Sequence, residues 1–392
     1  MSLAKYNILV YGCGAREYAI AKSILSSPLL NKLFLANGAH FRLGENIEYT
    51  DYDDLAKKSL EKNIDLVIFG PEQPICDGAV DIFNSYGIKA IGVNKEFSKL
   101  ESSKLFAKEF MNKYLIKNAK VLSKNDNTFP QVIKKDGLAQ GKGVKVVYNE
   151  IEKNNVISLF KKDFFAEEFL DGEEISVMSL FDGECMLNFL PTRDFKRLNE
   201  DLTSPNTGGM GSYCPVDLTD NQKLKLNNYL EKLEKALIAE GADFTGFIYS
   251  GLIWLSDDWY VLEYNVRLGD PETQSILKHL KTDFLSILIA GLNNKLKNIN
   301  IEYRNGYSAC LVIASAGYPD NPKKGDLISL PDNKNIDVLF AGVKYDNDKL
   351  YSDGGRVLSL CLNDENPFPK LKSYADSLKM KSKYYRLDID IY

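Results

Sequence analysis

The chain has 392 residues, 44% hydrophobic and 26% charged, too long for one compact core and rich enough in apolar residues for two to four domains. A net charge of −5 and a pI near 5.4 exclude the broad basic surface of a nucleic-acid binder, but not a local basic pocket for phosphates. Six singly placed cysteines read as reduced thiols, and the only histidines, His40 and His279, lack nearby triad or metal partners, so histidine-centred catalysis is not expected.

From the N-terminus, no apolar signal stretch is present, and no run in the chain reaches the ~20 residues of a membrane span. A cytoplasmic protein with no membrane or nucleic-acid partner is expected. An apolar run at 7–11 ends in Gly12-Cys-Gly14 and leads into a helical stretch at 15–25. A second run at 65–69 ends in Gly70-Pro71-Glu72 before a helical stretch reaching residue 86, and a third at 89–92 precedes a helical pattern at 96–114. Strands alternating with helices, with glycine at their C-terminal ends, predict a Rossmann-like parallel α/β domain over residues 1–100. The first turn opens like a dinucleotide fingerprint, but Glu17 stands where the third glycine belongs and no acidic residue closes the next strand, which argues against NAD. That turn can bind phosphate through its backbone amides, helped by Arg16, or be a tight α/β turn without a ligand.

After residue 100 the pattern becomes α+β. Strands at 129–135 and 144–148 flank Asp136-Gly137-Leu-Ala-Gln-Gly141-Lys142-Gly143, which predicts a hairpin with a mobile loop. The loop is not a Walker A motif, being one residue short and carrying Gly143 in place of Ser or Thr. Its glycines let the backbone approach a polyphosphate, and Lys142 adds charge. Lys134 shares a strand face with Val132, and a lysine on an inner face calls for an anionic partner; an exposed hairpin is the alternative. Strands at 164–170 and 175–181 complete a lid over about 115–185. Its strand end can offer a purine the N–H and C=O of Phe169 and Leu170 and turn Glu174 to ribose hydroxyls, or be merely solvated.

Residues 186–300 read as a central domain with a helix at 221–240 and strands at 247–255 and 259–265. Pro205-Asn206-Thr207-Gly208-Gly209-Met210-Gly211 is either a loop that wraps a polar ligand or a flexible one. On the second strand, alternation puts Glu263, Asn265 and Arg267 on one face. The first two are hard oxygen ligands of the kind Mg²⁺ takes beside phosphates, and Arg267 suits bidentate phosphate contact. A Glu263–Arg267 ion pair explains those two residues but not Asn265. From 301 onward strands dominate, at 308–314, 325–330, 338–341 and 355–362, before a helix at 369–380.

In this order the motifs resemble those of the glycinamide ribonucleotide synthetase (phosphoribosylamine–glycine ligase) family of ATP-grasp enzymes. The resemblance covers essentially the whole chain: Gly-Cys-Gly-Ala-Arg-Glu at 12–17, Gly-Pro-Glu at 70–72, Leu-Glu-Ser-Ser-Lys-Leu-Phe-Ala-Lys at 100–108 and Lys-Lys-Asp-Gly-Leu-Ala-Gln-Gly-Lys-Gly at 134–143. It continues through Pro-Asn-Thr-Gly-Gly-Met-Gly at 205–211, Arg-Leu-Gly-Asp-Pro-Glu-Thr-Gln at 267–274, Ala-Gly-Tyr-Pro at 316–319 and Asp-Gly-Gly-Arg-Val at 353–357. The implied fold is ATP-grasp, α/β and α+β, with an N-terminal Rossmann-like domain (1–100), a first ATP-grasp part containing the lid (101–185), a central part with the metal site (186–300) and a C-terminal β-rich domain (301–392).

The implied reaction joins glycine to 5-phosphoribosylamine at the expense of ATP, through an acyl phosphate, with Mg²⁺ or Mn²⁺. By resemblance Lys104 and Lys134 contact phosphates, Gly137, Gly141, Lys142, Gly143 and Glu167 complete the nucleotide site, Phe169 and Leu170 meet the adenine, and Glu174 meets the ribose. Glu263 and Asn265 hold the metal, and Arg267 joins Lys134 in catalysis. Gly12, Gly14, Arg16, Glu17, Pro71, Glu72, Asn206, Thr207, Gly208, Gly209, Asp270, Pro271 and Glu272 form the acceptor and glycine side. Tyr18 and Phe195 depart from the family, whose members typically carry histidine there, and 198–204 lacks its usual Gly-Asp pattern. A monomer or weak homodimer is expected. Another ATP-grasp ligase or carboxylase of purine synthesis, or a nucleotide-binding homologue impaired in catalysis, are the alternatives.

Overall fold

The computed structural model describes residues 4–123, 126–138, 143–160, 164–201 and 204–391. Its first layer is a five-stranded parallel sheet in the order Glu45–Asn46, Leu30–Ala36, Tyr6–Tyr11, Leu66–Phe69, Lys89–Ile91. Ile8, Leu9 and Val10 are fully buried, as expected of a strand covered on both faces. Strand Leu30–Ala36 and helix Tyr52–Glu61 lie outside the sequence reading. The strand opens on exposed Asn31 and Lys32, and the helix buries only Leu55, Ala56 and Ser59, so neither carries a strong apolar pattern. Asp51 starts that helix by accepting the Asp54 N–H at 2.8 Å.

The chain order of this sheet reverses between Tyr6–Tyr11 and Leu66–Phe69. In open α/β sheets ligands settle in the crevice outside the strand ends at such a switch point. The turns that follow these two strands are 12–14 and 70–72, so the topology brings the first two glycine motifs together.

The hairpin expected around residue 140 forms, with Gln131–Lys135 antiparallel to Val144–Val147. Val121–Leu122 and Phe164–Glu168 complete its sheet, and Ile133, Val147 and Ala166 form a small separate core. The next strand, Glu173–Phe181, leaves this unit. It pairs along its whole length with Gly246–Leu255, which pairs with Asp258–Asn265. Helix Asp220–Ala239, started by a Thr219–Gln222 capping box, packs on that central sheet and buries Leu226, Leu230, Leu233 and Leu237.

A third large sheet runs Arg193–Asp194, Gly211–Cys214, Tyr307–Ser315, Arg356–Asp364, Asp337–Phe340, with Lys383–Tyr384 on the end of Tyr307–Ser315. It draws two strands from before residue 300 into the C-terminal layer. Periodicity cannot show this, because a strand's partner is set by distant residues. Ala15 and Ala19 of helix Ala15–Leu25 pack against Cys310, Val312 and Cys361 of this sheet, so the first glycine turn is pressed to the C-terminal layer.

Candidate functional site

In the hairpin sheet Lys134 is 7% exposed, pairs with Glu167 and donates to the Leu262 carbonyl at 3.0 Å. The anionic partner that its inward position demands is therefore supplied by the protein. Lys108 pairs with the same carboxylate at 2.6 Å, so Glu167, 1% exposed, lies between two ammonium groups. Such a triad is costly to desolvate but rigid. Lys104 starts helix Lys104–Lys113; its backbone N–H donates to Asp136 at 2.7 Å and its Nζ to the Gly137 carbonyl at 2.8 Å. Burial pushes the Lys104 ammonium below the usual lysine range, and Glu263 partly offsets this. Lys104, Lys134 and Glu263 thus share one electrostatic neighbourhood.

Gly141 and Lys142 lie outside the described residues. The Gly143 carbonyl accepts the Lys135 N–H at 2.8 Å and closes the hairpin. Phe169 and Leu170 follow the strand end at Glu168, half-buried with no regular partner strand, which suits groups that offer backbone polar atoms. Glu174 lies at the start of the next strand with its side chain 49% exposed.

Glu263 and Asn265 are half-buried on one face of Asp258–Asn265, while Tyr264 between them is buried against Tyr229 on the other. The strand ends at Asn265, so the alternation that would align Arg267 with them ends there too. Arg267 turns to Glu72 and Glu101, each 3.3 Å away, and to the Leu268 carbonyl at 3.2 Å. Despite burial, these carboxylates hold its guanidinium well above the ordinary range. Against burial, Arg267 and Arg16 also keep Glu72 below the usual carboxylate range.

The first turn is occupied from within. Gly12 has φ +129°, and a Cβ there would lie 2.5 Å from Glu17 Cγ. Glu17, where a dinucleotide site has glycine, accepts the Gly14 N–H at 2.7 Å and pairs with Arg16, which also donates to the Leu268 carbonyl at 3.0 Å. Arg16 therefore ties this turn to the 267–274 motif. Beside it opens a cleft of about 480 Å³ lined by Cys13, Gly14, Asn37, His40, Asp270, Gly342, Asp353 and Arg356. Arg356 donates to the Asp270 carbonyl and carboxylate, both at 2.9 Å, and to the Gly208 carbonyl. The Gly208 N–H donates to Tyr318 Oη at 3.0 Å, Gly209 packs on Pro271, and Thr207 holds the Lys196 carbonyl through its N–H at 2.7 Å and its hydroxyl at 2.8 Å. Asn206 bridges to Arg197, and Pro71 precedes helix Glu72–Asp77. Glu272, 2% exposed, accepts from Ser176 at 3.2 Å, and Ser176 meets Tyr249 Oη at 2.7 Å.

Three charged residues of this region were missed from sequence. Arg356 lies in the Asp353-Gly-Gly-Arg run, read only as part of a resemblance. Lys196 is 3.4 Å from Asp194 and 3.5 Å from Glu174. Burial pushes the Asp194 carboxyl up, and Lys196 pulls it back. The dense charge run 193–197 was the available signal. Tyr18 packs edge-on to Phe41 at 5.0 Å and lies 5.2 Å from Phe340, and Phe195 lies against Tyr213 and Phe368; both are apolar contacts. His40 lines the cleft, with burial lowering its pKa, and His279 is buried against Ser308.

The residues present suit a nucleotide with a divalent cation. Buried Lys134 and half-buried Lys104 share an electrostatic neighbourhood with Glu263, two residues from Asn265 on the same strand, and the Lys104 charge stands to gain from an added polyphosphate. Among the described residues no three His, Cys, Asp or Glu side chains gather as a self-sufficient metal cage. A cation at Glu263 and Asn265 would share its coordination with phosphates.

Comparison with known proteins agrees along the chain. Residues 6–101 match the Phosphoribosylglycinamide synthetase N domain, 102–273 its ATP-grasp (A) domain and 308–390 its C domain. The phosphoribosylamine–glycine ligase of Fusobacterium nucleatum is 38% identical, covering 97% of each chain, and that of Caldanaerobacter subterraneus is 38% identical, covering 97% of this chain and 99% of its own. The crystal structure of the Thermotoga maritima phosphoribosylamine–glycine ligase superposes with a TM-score of 0.84 at 31% identity, over 98% of this chain and all (100%) of that one. Campylobacter jejuni biotin carboxylase matches with a TM-score of 0.73 at 16% identity, over 96% of this chain and 92% of its own, a likeness of fold alone.

Proposed function

Since this chain belongs to the phosphoribosylglycinamide synthetase family, we propose that it is the ATP-dependent ligase that joins glycine to 5-phosphoribosylamine, yielding glycinamide ribonucleotide, ADP and phosphate in purine synthesis. The observation that carries this is the junction at the 267–274 motif: Arg16 donates to the Leu268 carbonyl, Arg356 joins Asp270 to the Gly208 carbonyl at the edge of the cleft, and Arg267 pairs with Glu101, an electrostatic neighbour of Lys104 and Glu263.

In this reading a glycine carboxylate oxygen attacks the γ-phosphorus of ATP. One O–P bond forms, the bond to ADP breaks, and glycyl phosphate results. The phosphoribosylamine nitrogen then attacks the carbonyl carbon, phosphate leaves, and the nitrogen gives up a proton as the amide forms. Lys104 and Lys134 neutralise the phosphates, Arg267 faces the transferring group from its two carboxylate supports, and Phe169, Leu170 and Glu174 seat the nucleoside. Gly137 and Gly143 belong to the hairpin that closes over ATP and keeps water from the acyl phosphate, and Gly141 and Lys142, outside the described residues, are assigned to the nucleotide by the sequence resemblance alone. Glu263 and Asn265 would hold a Mg²⁺ or Mn²⁺, which would supply charge neutralisation along the phosphates. Phosphoryl transfer of this kind depends on positioning and electrostatics, which suits a centre without histidine.

The acceptor takes the cleft between 12–17 and Arg356, and Gly12, Gly14, Glu17, Pro71, Asn206, Thr207, Gly208, Gly209, Asp270, Pro271 and Glu272 shape that side. Lys196 joins the list as a cation set between Asp194 and Glu174. The four-part division at residues 100, 185 and 300, a cytoplasmic location and a monomer or weak homodimer remain part of this reading; among the described residues no helix is long and apolar enough to cross a membrane. The test is ADP release by purified protein with phosphoribosylamine generated in situ. Turnover is expected only when glycine, phosphoribosylamine and Mg²⁺ are all present, and glycine-independent turnover would refute the assignment.

A further inference from the structure

Lys196 lies outside the regular strands, yet the backbone around it is held by several hydrogen bonds. The Phe195 N–H donates to the Gly211 carbonyl at 2.9 Å, the Phe195 carbonyl accepts from Met210 at 2.9 Å, and Thr207 holds the Lys196 carbonyl. The next two carbonyls are satisfied from almost the other end of the chain. Arg386 Nη1 donates to the Arg197 carbonyl at 3.1 Å, and Tyr384 Oη donates to that of Leu198 at 2.9 Å.

This C-terminal segment is built into the structure. Lys383–Tyr384 pairs with the end of Tyr307–Ser315. Arg386 is only 9% exposed, is fixed by Asp388 through Nε at 3.0 Å, and lies over the Phe195 ring at 5.4 Å. Ile389 is fully buried beside Gly211, where a Cβ would come 2.7 Å from Ile389 Cδ1. The segment therefore holds the Arg197 and Leu198 carbonyls and packs on Gly211, while the Lys196 side chain faces Asp194 and Glu174.

We propose that Arg386 is a positioning residue for the ligation, acting through the Phe195–Leu198 backbone to hold Lys196 toward the reacting groups. The proposal rests on the reading of Lys196 given above. A guanidinium fits this post because its planar fork can stack on Phe195, bind Asp388 and still donate to the Arg197 carbonyl. Without it that carbonyl loses its partner and the loop its backing.

The test uses the full chain with Arg386→Ala, Arg386→Lys, Lys196→Ala and the Arg386→Ala/Lys196→Ala double variant. Arg386→Ala should lower kcat roughly tenfold, the scale expected of a slightly misplaced reacting group. KM for ATP should change less than kcat, because of the nucleotide residues only Glu174 meets Lys196, while Lys104 and Lys134 lie on other elements. Arg386→Lys keeps a cation and one donor but not the fork, so it should recover only part of the rate. In the Lys196→Ala background, Arg386→Ala should cost no more than about twofold, since residues that act through one another are not additive. Fully additive losses, or equal losses in Arg386→Ala and Arg386→Lys, overturn the proposal.

Backbone amide exchange at 195–198 gives a readout that needs no turnover. It should speed up in Arg386→Ala while exchange in strand Tyr6–Tyr11 does not change; unchanged exchange at 195–198 also overturns the proposal. If the parent protein shows no glycine-dependent turnover, the ligase reading fails, and exchange alone decides whether Arg386 holds the loop.

Discussion

Glu101 accepts the Val266 N–H at 2.8 Å and faces the Arg267 guanidinium at 3.3 Å, so one carboxylate fixes both the end of the Glu263–Asn265 strand and the first arginine beyond it. Its own charge is disfavoured by burial and supported by Arg267. Removing it leaves a buried guanidinium with half its support and a backbone donor without an acceptor.

Glu101→Ala is therefore expected to lower stability by about 3 kcal/mol, the cost of breaking a buried pair from one side. Glu101→Gln keeps an acceptor for Val266 and should lose less. Urea unfolding followed by circular dichroism measures both; equal stability of all three proteins would show that the pair contributes nothing.

The Lys104 ammonium lies below the usual lysine range in the free protein, chiefly through burial. Bound phosphates favour its charged form, so its pKa rises on binding. ATP affinity is then full at pH values below the free-protein pKa and falls as pH rises through it. KM for ATP should climb on the alkaline side, and Lys104→Arg should flatten that limb. An alkaline limb that persists in the arginine variant would assign it to another group.

Glu263→Ala should abolish Mg²⁺-dependent turnover and leave the circular dichroism spectrum and melting temperature close to the parent's, because the side chain is half-buried and contributes little packing. A variant that still turns over with Mg²⁺ refutes its role as a metal ligand.

Arg356→Lys removes the fork that joins Asp270 to Gly208 and keeps only a point charge. KM for phosphoribosylamine should rise about tenfold or more while KM for ATP stays within about twofold, as expected when one of two substrate sites is loosened. Steady-state kinetics with each substrate varied in turn decides it; parallel rises in both constants would place Arg356 in general folding.

Some of the centre could be read locally. Glu263 and Asn265 share a face because a strand alternates side chains, and that rule needs nothing beyond the strand itself. The inward position of Lys134 was legible for the same reason, but its partner was not: Glu167 comes from another strand of the lid sheet. Arg267 shows where the rule stops. Its alternation holds only while the strand lasts, and beyond Asn265 the side chain follows Glu72 and Glu101.

The amino-acid sequence by itself determined the glycine turns after the first apolar runs, the glycine-flanked hairpin and the polar face of strand Asp258–Asn265, because these depend on neighbours a few residues apart. The tertiary structure alone decided that strands before residue 300 join the C-terminal sheet, and that Arg356 closes the cleft on Asp270, 86 residues away. It also decided that Arg386 backs Arg197 across 189 residues. Such contacts depend on which sheets stack and which chain ends return, and no local period carries that information.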